Sequence, residues 1–170
     1  FLETEKFDIL LLQEIRLCKH ADGVTILEPL DIIRLVEKST GLIAISQANN
    51  SDTVSFWKAT FYNPKKLFHN NTRTIWLGDH PNRSSGSQFE FGKNIMFSDF
   101  TINGTDVSFQ VCNVHAPFRQ DIRDLYFEKM IQHVTNQNLY TIMVGDYNTI
   151  PDFGGSDHIQ LLDSVFDRPS

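Results

Sequence analysis

Residues 107–117 read VSFQVCNVHAP, and the alternation within them decides the fold. Val107, Phe109, Val111, Asn113 and His115 share one face at the strand period of two, so a buried apolar row runs on into two polar side chains before Pro117 ends the strand. Upstream, Ile95 to Ile102 is a second strand-like run. Asn103-Gly104 lies between the two and favours a two-residue type I′ turn, in which both central residues take positive φ. An antiparallel hairpin is predicted. Downstream, Asp121 to Val134 carries Ile122, Leu125, Tyr126, Met130, Ile131 and Val134 at helical spacing, with Arg123, Glu128 and Lys129 on the solvent side. Tyr140 to Val144 is a further short apolar strand, and it breaks at Gly145-Asp146-Tyr147-Asn148.

Towards the amino terminus, the continuous apolar run Phe7 to Leu12 suits a central strand covered on both faces, and Gln13-Glu14 follow at its end. Asp31 to Lys38 has apolar residues at 32, 33, 35 and 36, a helical pattern closed by Gly41 as a cap. Leu42 to Gln47 and Val54 to Tyr62 read as hairpin partners, the second ending at Asn63-Pro64. Asn70 to Gly92 is rich in Asn, Arg, Ser, Gly and Pro and is expected to be a surface loop, interrupted by Ile75-Trp76-Leu77. A last helix is expected from about Asp157 to Phe166. No internal repeat or linker is visible, so residues 1–170 read as one α/β domain rich in antiparallel pairs.

The 170 residues are 41% hydrophobic and include 14 Phe, enough to build a core and to exclude disordered, collagen-like and disulfide-scaffold classes. No apolar run approaches the roughly 18 residues needed to span a bilayer. The formal charge of −6 argues against a protein that grips nucleic acid broadly through its phosphates and is compatible with a site that recruits divalent cations. A local basic strip of Lys65, Lys66, Arg73 and Arg83 could follow a phosphate backbone, although such residues are more often a solvated surface. Phe56, Trp57 and Trp76 could stack on bases, with core packing the blander account. Cys18 and Cys112 allow at most one disulfide. Glycosylation acceptor sequences at Asn49, Asn70, Asn82 and Asn103 lean towards a secretory protein, and the compartment stays open. The start at Phe1, with no leader, reads as a mature or excised piece.

Three strands end in polar clusters: Gln13-Glu14, Asn113 with His115, and Asp146 with Asn148. Strand ends at the rim of a sheet present side chains to a cleft, so these groups can form one site. Each also has a bland reading. Glu14 can be a capping or loop carboxylate, His115 a hydrogen-bonded core histidine, and Gly145-Asp146-Tyr147-Asn148 an ordinary turn.

In order along the chain, Asp8 to Glu14 (DILLLQE), Phe61-Tyr62, Trp76-Leu77 with Pro81, Cys112 to Pro117 (CNVHAP) and Val144 to Asp152 (VGDYNTIPD) resemble the endonuclease/exonuclease/phosphatase family of deoxyribonuclease-like, metal-dependent phosphoesterases. The resemblance covers nearly the whole chain. It implies an α/β four-layer sandwich: two mainly antiparallel sheets face to face, helices outside, and a cleft at one end. It further implies a hydrolase, a phosphodiesterase or nuclease that splits phosphodiester bonds, most readily those of DNA or RNA. Glu14 would hold Mg²⁺ or Mn²⁺, Asp146 would handle the proton of the nucleophile or leaving group, Asn148 would hydrogen-bond the phosphate, and His115 would donate to the phosphate or the departing oxygen. Asn113 would fix local geometry.

Two parts of the family pattern are displaced. The family opens with a strand ending in an Asn that helps bind the metal, and this chain starts after that point. The family closes with a Ser-Asp-His strand. Here Ser156-Asp157-His158 follows within a few residues of Asn148 and reads better as a helix start than as the catalytic pair. The domain is therefore expected to be incomplete at both ends, with little turnover by the chain alone. Open sheet edges would invite a partner strand or self-association. The alternative to an enzyme is a non-catalytic module of the same fold that binds a partner through its cleft or an open edge.

Overall fold

The computed structural model describes residues 6–16, 18–19, 24, 26–48, 57–76, 94–135 and 138–148. The expected helix near 157–166, Ser156-Asp157-His158, Arg83, Phe56, and the acceptors Asn49 and Asn82 lie outside these residues. The described elements are β1 (Ile9–Ile15), β2 (Cys18–Lys19), β3 (Ile26–Leu27), α1 (Pro29–Thr40), β4 (Ile43–Ala48), β5 (Trp57–Tyr62), β6 (Leu67–Trp76), β7 (Asn94–Ile102), β8 (Ser108–His115), α2 (Gln120–Thr135) and β9 (Tyr140–Asp146). One sheet has the order β1-β5-β4, a second β6-β7-β8-β9, and β2 pairs with β3. Every pairing is antiparallel except that of β8 with β9, which α2 joins as a crossover.

Three apolar clusters mark three interfaces, and so four layers. Ile33 and Val36 of α1 pack on Ile15, Ala59 and Phe61, with Leu10, Leu12 and Trp57 beside them. Ile9, Leu11, Ile45 and Tyr62 of the first sheet meet Leu67, Phe100, Phe109 and Val111 of the second. Ile122, Tyr126, Phe127, Met130 and Val134 of α2 pack on Ile95, Phe97, Cys112 and Val114. The period of two thus divides each strand between a helix and the opposite sheet. The fold is the expected α/β sandwich of two mainly antiparallel sheets with a helix outside each.

Helix α1 begins with a reciprocal capping box between Glu28 and Asp31 and ends at Gly41, whose φ of +73° is the left-handed cap expected of glycine. The end of the sandwich where β5 turns into β6 and β7 into β8 is laced shut. Asn103 donates its N–H to Lys66 O and its side-chain amide to Pro64 O, and Lys66 Nζ lies 2.8 Å from Asp8.

Three expectations change. Residues 70–74 are strand rather than loop, because Thr72 and Arg73 of β6 bond Ser98 and Asp99 of β7 through their side chains, and polar cross-strand pairs of this kind carry no hydropathy signal. The β7–β8 hairpin is present, but its loop runs over residues 103–107. Thr105 donates its N–H to Ile102 O, and Gly104 has a φ of +78° while Asn103 is not at positive φ, so the turn is not type I′. Arg123 is buried against the sheet side rather than solvated. Of the basic residues, Lys66 pairs with Asp8 and Arg73 with Asp99. Trp57 and Trp76 are packing residues. Among the described residues no helix is long and apolar enough to cross a membrane.

Candidate active site

Glu14, His115, Asp146 and Asn148 all come from the end of the sandwich opposite the laced turns. Glu14 reaches it through a β-bulge. Leu12 pairs with Ala59 and Ile15 with Trp57, so Gln13 and Glu14 together face the single residue Lys58. Strict alternation would turn Glu14 to the α1 side. The bulge, with Glu14 at a φ of +54°, aims it at the second sheet instead. There its Oε1 stands 3.5 Å from Nε2 of His115, the imidazole side chain only 2% exposed and the carboxylate side chain 48% exposed.

Beneath this pair, Asn113 joins the sheets. Its Nδ2 donates to Leu12 O at 3.3 Å and Ala59 O at 3.1 Å, and its Oδ1 accepts from Gln13 Nε2 at 2.8 Å. The role expected for Asn113, fixing local geometry, has this physical form.

On the other side, His115 is the ladder partner of Asp146, and Ala116 donates its N–H to Asp146 O at 2.8 Å. Paired residues of adjacent strands point to the same face, so the Asp146 carboxylate is exposed on the same side as the His115 ring, one strand spacing away. The close approach of β9 to β8 here depends on Gly145. At its φ of +144° a Cβ would lie 2.0 Å from Val114 O. Beyond it, Asp146 Oδ1 accepts the Asn148 N–H at 2.8 Å in an Asx turn, and Asn148 Nδ2 donates to Ala116 O at 2.6 Å. Asn148 sits at a φ of +49°, a region asparagine tolerates better than most residues. Its second amide hydrogen is not used by that bond.

Sequence reasoning passed over three groups that shape this end. Lys58 is wholly buried on the inner face of β5 and donates Nζ to Asn94 O. The signal was a lysine between Trp57 and Ala59 on an otherwise inward-facing row. Tyr126 accepts the His115 N–H at 3.2 Å, and burial pushes its hydroxyl well above the ordinary tyrosine range. Arg123 Nη1 lies 3.2 Å from Phe118 O and 2.6 Å from Asn148 O. Its helical register alone pointed to solvent.

The donor set suits a hard, water-rich cation. Magnesium and manganese accept one or two carboxylates and keep several waters, whereas zinc sites draw together three or more His, Cys or carboxylate groups. Glu14 offers a single half-exposed carboxylate to such a hard cation.

No family model matches the sequence, and no curated protein matches it. Solved structures do. An endonuclease/exonuclease/phosphatase family protein from Bacteroides thetaiotaomicron superposes with a TM-score of 0.68 at 21% identity, covering 90% of this chain and 54% of that one. A mannosyl-6-phosphatase from the same species gives 0.67 at 21% identity, covering 89% and 55%. TDP2 of D. rerio, solved with a single-strand DNA product, gives 0.57 at 10% identity, covering 94% and 53%. The chain spans a little over half the length of each. At these identities the likeness is one of architecture: this chain has the fold of the endonuclease/exonuclease/phosphatase proteins.

Proposed function

We propose that the chain carries the catalytic end of a divalent-metal-dependent phosphoesterase acting on phosphodiester bonds, those of nucleic acid in particular. The observation that carries the reading is the meeting of Glu14 and His115 at 3.5 Å, with Asp146 beside His115 in the β8–β9 ladder. A phosphodiester repels an incoming hydroxide, so charge must be neutralised, the nucleophile oriented and the leaving oxygen protonated. Glu14 would hold Mg²⁺ or Mn²⁺ through its half-exposed carboxylate. Such an ion, when bound, supplies charge neutralisation at the phosphoryl oxygens. Asp146 takes or returns a proton with a carboxylate whose Oδ1 is already fixed by Asn148 N–H. Asn148 offers its remaining amide hydrogen to the phosphate. His115 offers its imidazole to the phosphate or the departing oxygen from beside Glu14, and Tyr126 and the strand ladder hold its backbone still. Support comes from the architecture shared with a phosphatase and with a protein solved on a DNA product.

A second reading, a binding module without turnover, is favoured by β9. Tyr140, Ile142 and Val144 form a row on the face away from α2 and are all exposed, and such a strand can accept a partner strand or a second copy.

Mn²⁺ titration followed by nuclear magnetic resonance, together with hydrolysis of bis(p-nitrophenyl) phosphate, separates the two. The enzyme reading expects paramagnetic broadening centred on residues 13–15, 115 and 146–148, and a metal-dependent rate that EDTA and Glu14→Ala abolish. Broadening and rate no different from Glu14→Ala would leave the module. Concentration-dependent sedimentation reports self-association directly.

A further inference from the structure

We propose that Arg123 is a positioning residue of the site, acting on Asn148 and Asp146 through the backbone; its catalytic consequence rests on the phosphoesterase reading above. Arg123 lies in the first turn of α2, buried, and a single terminal nitrogen, Nη1, reaches Phe118 O at 3.2 Å and Asn148 O at 2.6 Å. Phe118 belongs to the segment leaving β8 after His115, and Asn148 to the segment leaving β9 after Asp146. One guanidinium therefore ties the two segments that diverge from adjacent parallel strands at the site.

The tie acts where the backbone is least able to hold itself. Asn148 sits at a φ of +49°, so its conformation depends on the bonds around it. Three bonds converge there: Asn148 Nδ2 to Ala116 O, Asn148 N–H to Asp146 Oδ1, and Arg123 Nη1 to Asn148 O. The first two set the amide and the carboxylate that the reaction uses. The third anchors the main-chain carbonyl of Asn148, the residue at which the first two meet. Guanidinium stays protonated across the working pH range and its hydrogen bonds are charge-assisted, so the anchor does not loosen as neighbouring groups titrate. Tyr126, three positions further along the same helix, accepts the His115 N–H. One face of α2 thus registers His115 and Asn148 against each other, a task distinct from its apolar packing on β7 and β8.

The test uses Arg123→Lys and Arg123→Ala in the full chain. A lysine ammonium has a different reach and lacks the planar fork, so Arg123→Lys is expected to fold with a thermal midpoint close to the parent. In it, the amide resonances of Phe118, Asp146 and Asn148 move and hydrogen exchange at Asn148 rises at least about tenfold. In Arg123→Ala, added guanidinium at low millimolar concentration is expected to return those resonances saturably, which equal sodium chloride does not. Resonances and exchange at 146–148 unchanged in folded Arg123→Lys overturn the proposal. Where hydrolysis is measurable, kcat of Arg123→Lys falls about 10–100-fold with KM within about twofold, as expected for displacement of a reacting group. A kcat per folded molecule equal to the parent also overturns it. If the parent shows no metal-dependent hydrolysis, the phosphoesterase reading fails, while the resonance and exchange measurements still decide the role of Arg123.

Discussion

His115 Nε2 stands 3.5 Å from Glu14 Oε1 across the gap between the two sheets, a covered imidazole against a carboxylate that solvent can reach. The contact exists because the bulge in β1 holds Glu14 at a φ of +54°. For a residue with a Cβ, that conformation costs on the order of 1–2 kcal/mol. Strain of this kind at a candidate site is expected to trade against function. Glu14→Gly should therefore leave stability to urea unchanged or raise it by up to about 1 kcal/mol, after the greater chain entropy of glycine is allowed for. The same variant should lose Mn²⁺ broadening at 115 and 146–148. A loss of more than about 1 kcal/mol would show that the bulge is relaxed with Glu14 in place.

Asn113 is the polar rivet between the sheets, donating to Leu12 O and Ala59 O and accepting from Gln13. Its removal strands buried partners, and Asn113→Ala should cost about 2 kcal/mol in urea unfolding. Asn113→Asp keeps the shape but sets an acceptor against two carbonyls. It should cost more than the alanine variant at neutral pH and recover as the pH is lowered and the new carboxyl is protonated. Equal losses for the two variants would mean that the donor bonds contribute little.

Gly145 admits no side chain, since a Cβ would lie 2.0 Å from the Val114 backbone oxygen. Backbone cannot swing aside as a flexible side chain can. Gly145→Ala is expected to cost at least about 3 kcal/mol, the upper end for overpacking, and to separate the ends of β8 and β9. Its thermal midpoint, and the protection of Ala116 N–H from exchange, should fall together.

Burial pushes the Cys112 thiol up to about 12 and the Tyr147 hydroxyl up to about 12, and raises Tyr126 as well. In the unfolded chain these groups ionise near 9 and 10. Above pH 9 the unfolded state has therefore released protons that the native state retains, and stability falls as pH rises. The contribution is complete below about pH 9 and is lost towards pH 12. Between pH 9 and 10 the slope belongs mainly to Cys112, at most about 1.4 kcal/mol per pH unit for one proton. Urea midpoints at pH 8, 9 and 10 should show that slope in the parent and a shallower one in Cys112→Ala. A parent whose midpoint does not move with pH over this range would contradict a sealed thiol.

Much of the fold was legible because burial leaves a periodic trace. The apolar run in β1, the helical spacing of α1 and its Gly41 cap, and the alternating row of β8 all correspond to observed elements. The convergence of Glu14, His115, Asp146 and Asn148 at one end was legible in part, as polar residues closing strands. The aim of Glu14 was not, because a bulge reverses the face that alternation assigns and nothing in the residue letters marks it. Residues 70–74 read as loop in the sequence because Thr72 and Arg73 find side-chain partners on β7 rather than in the core. Arg123 was placed in solvent because helical period records charge but not the two carbonyls that receive it.

The crossover from β8 through α2 to β9 also bears on how the site is assembled in time. His115, Asp146, Asn148 and their helix splint belong to one short stretch of chain, whereas Glu14 arrives from a strand roughly a hundred positions earlier, and closing so large a loop is entropically dearer. During folding the carboxyl-terminal half-site is therefore the natural nucleus, and docking of the β1-β5-β4 layer is the slower, late event. Substitutions inside the crossover should then slow refolding, whereas those at the β1 bulge should chiefly speed unfolding.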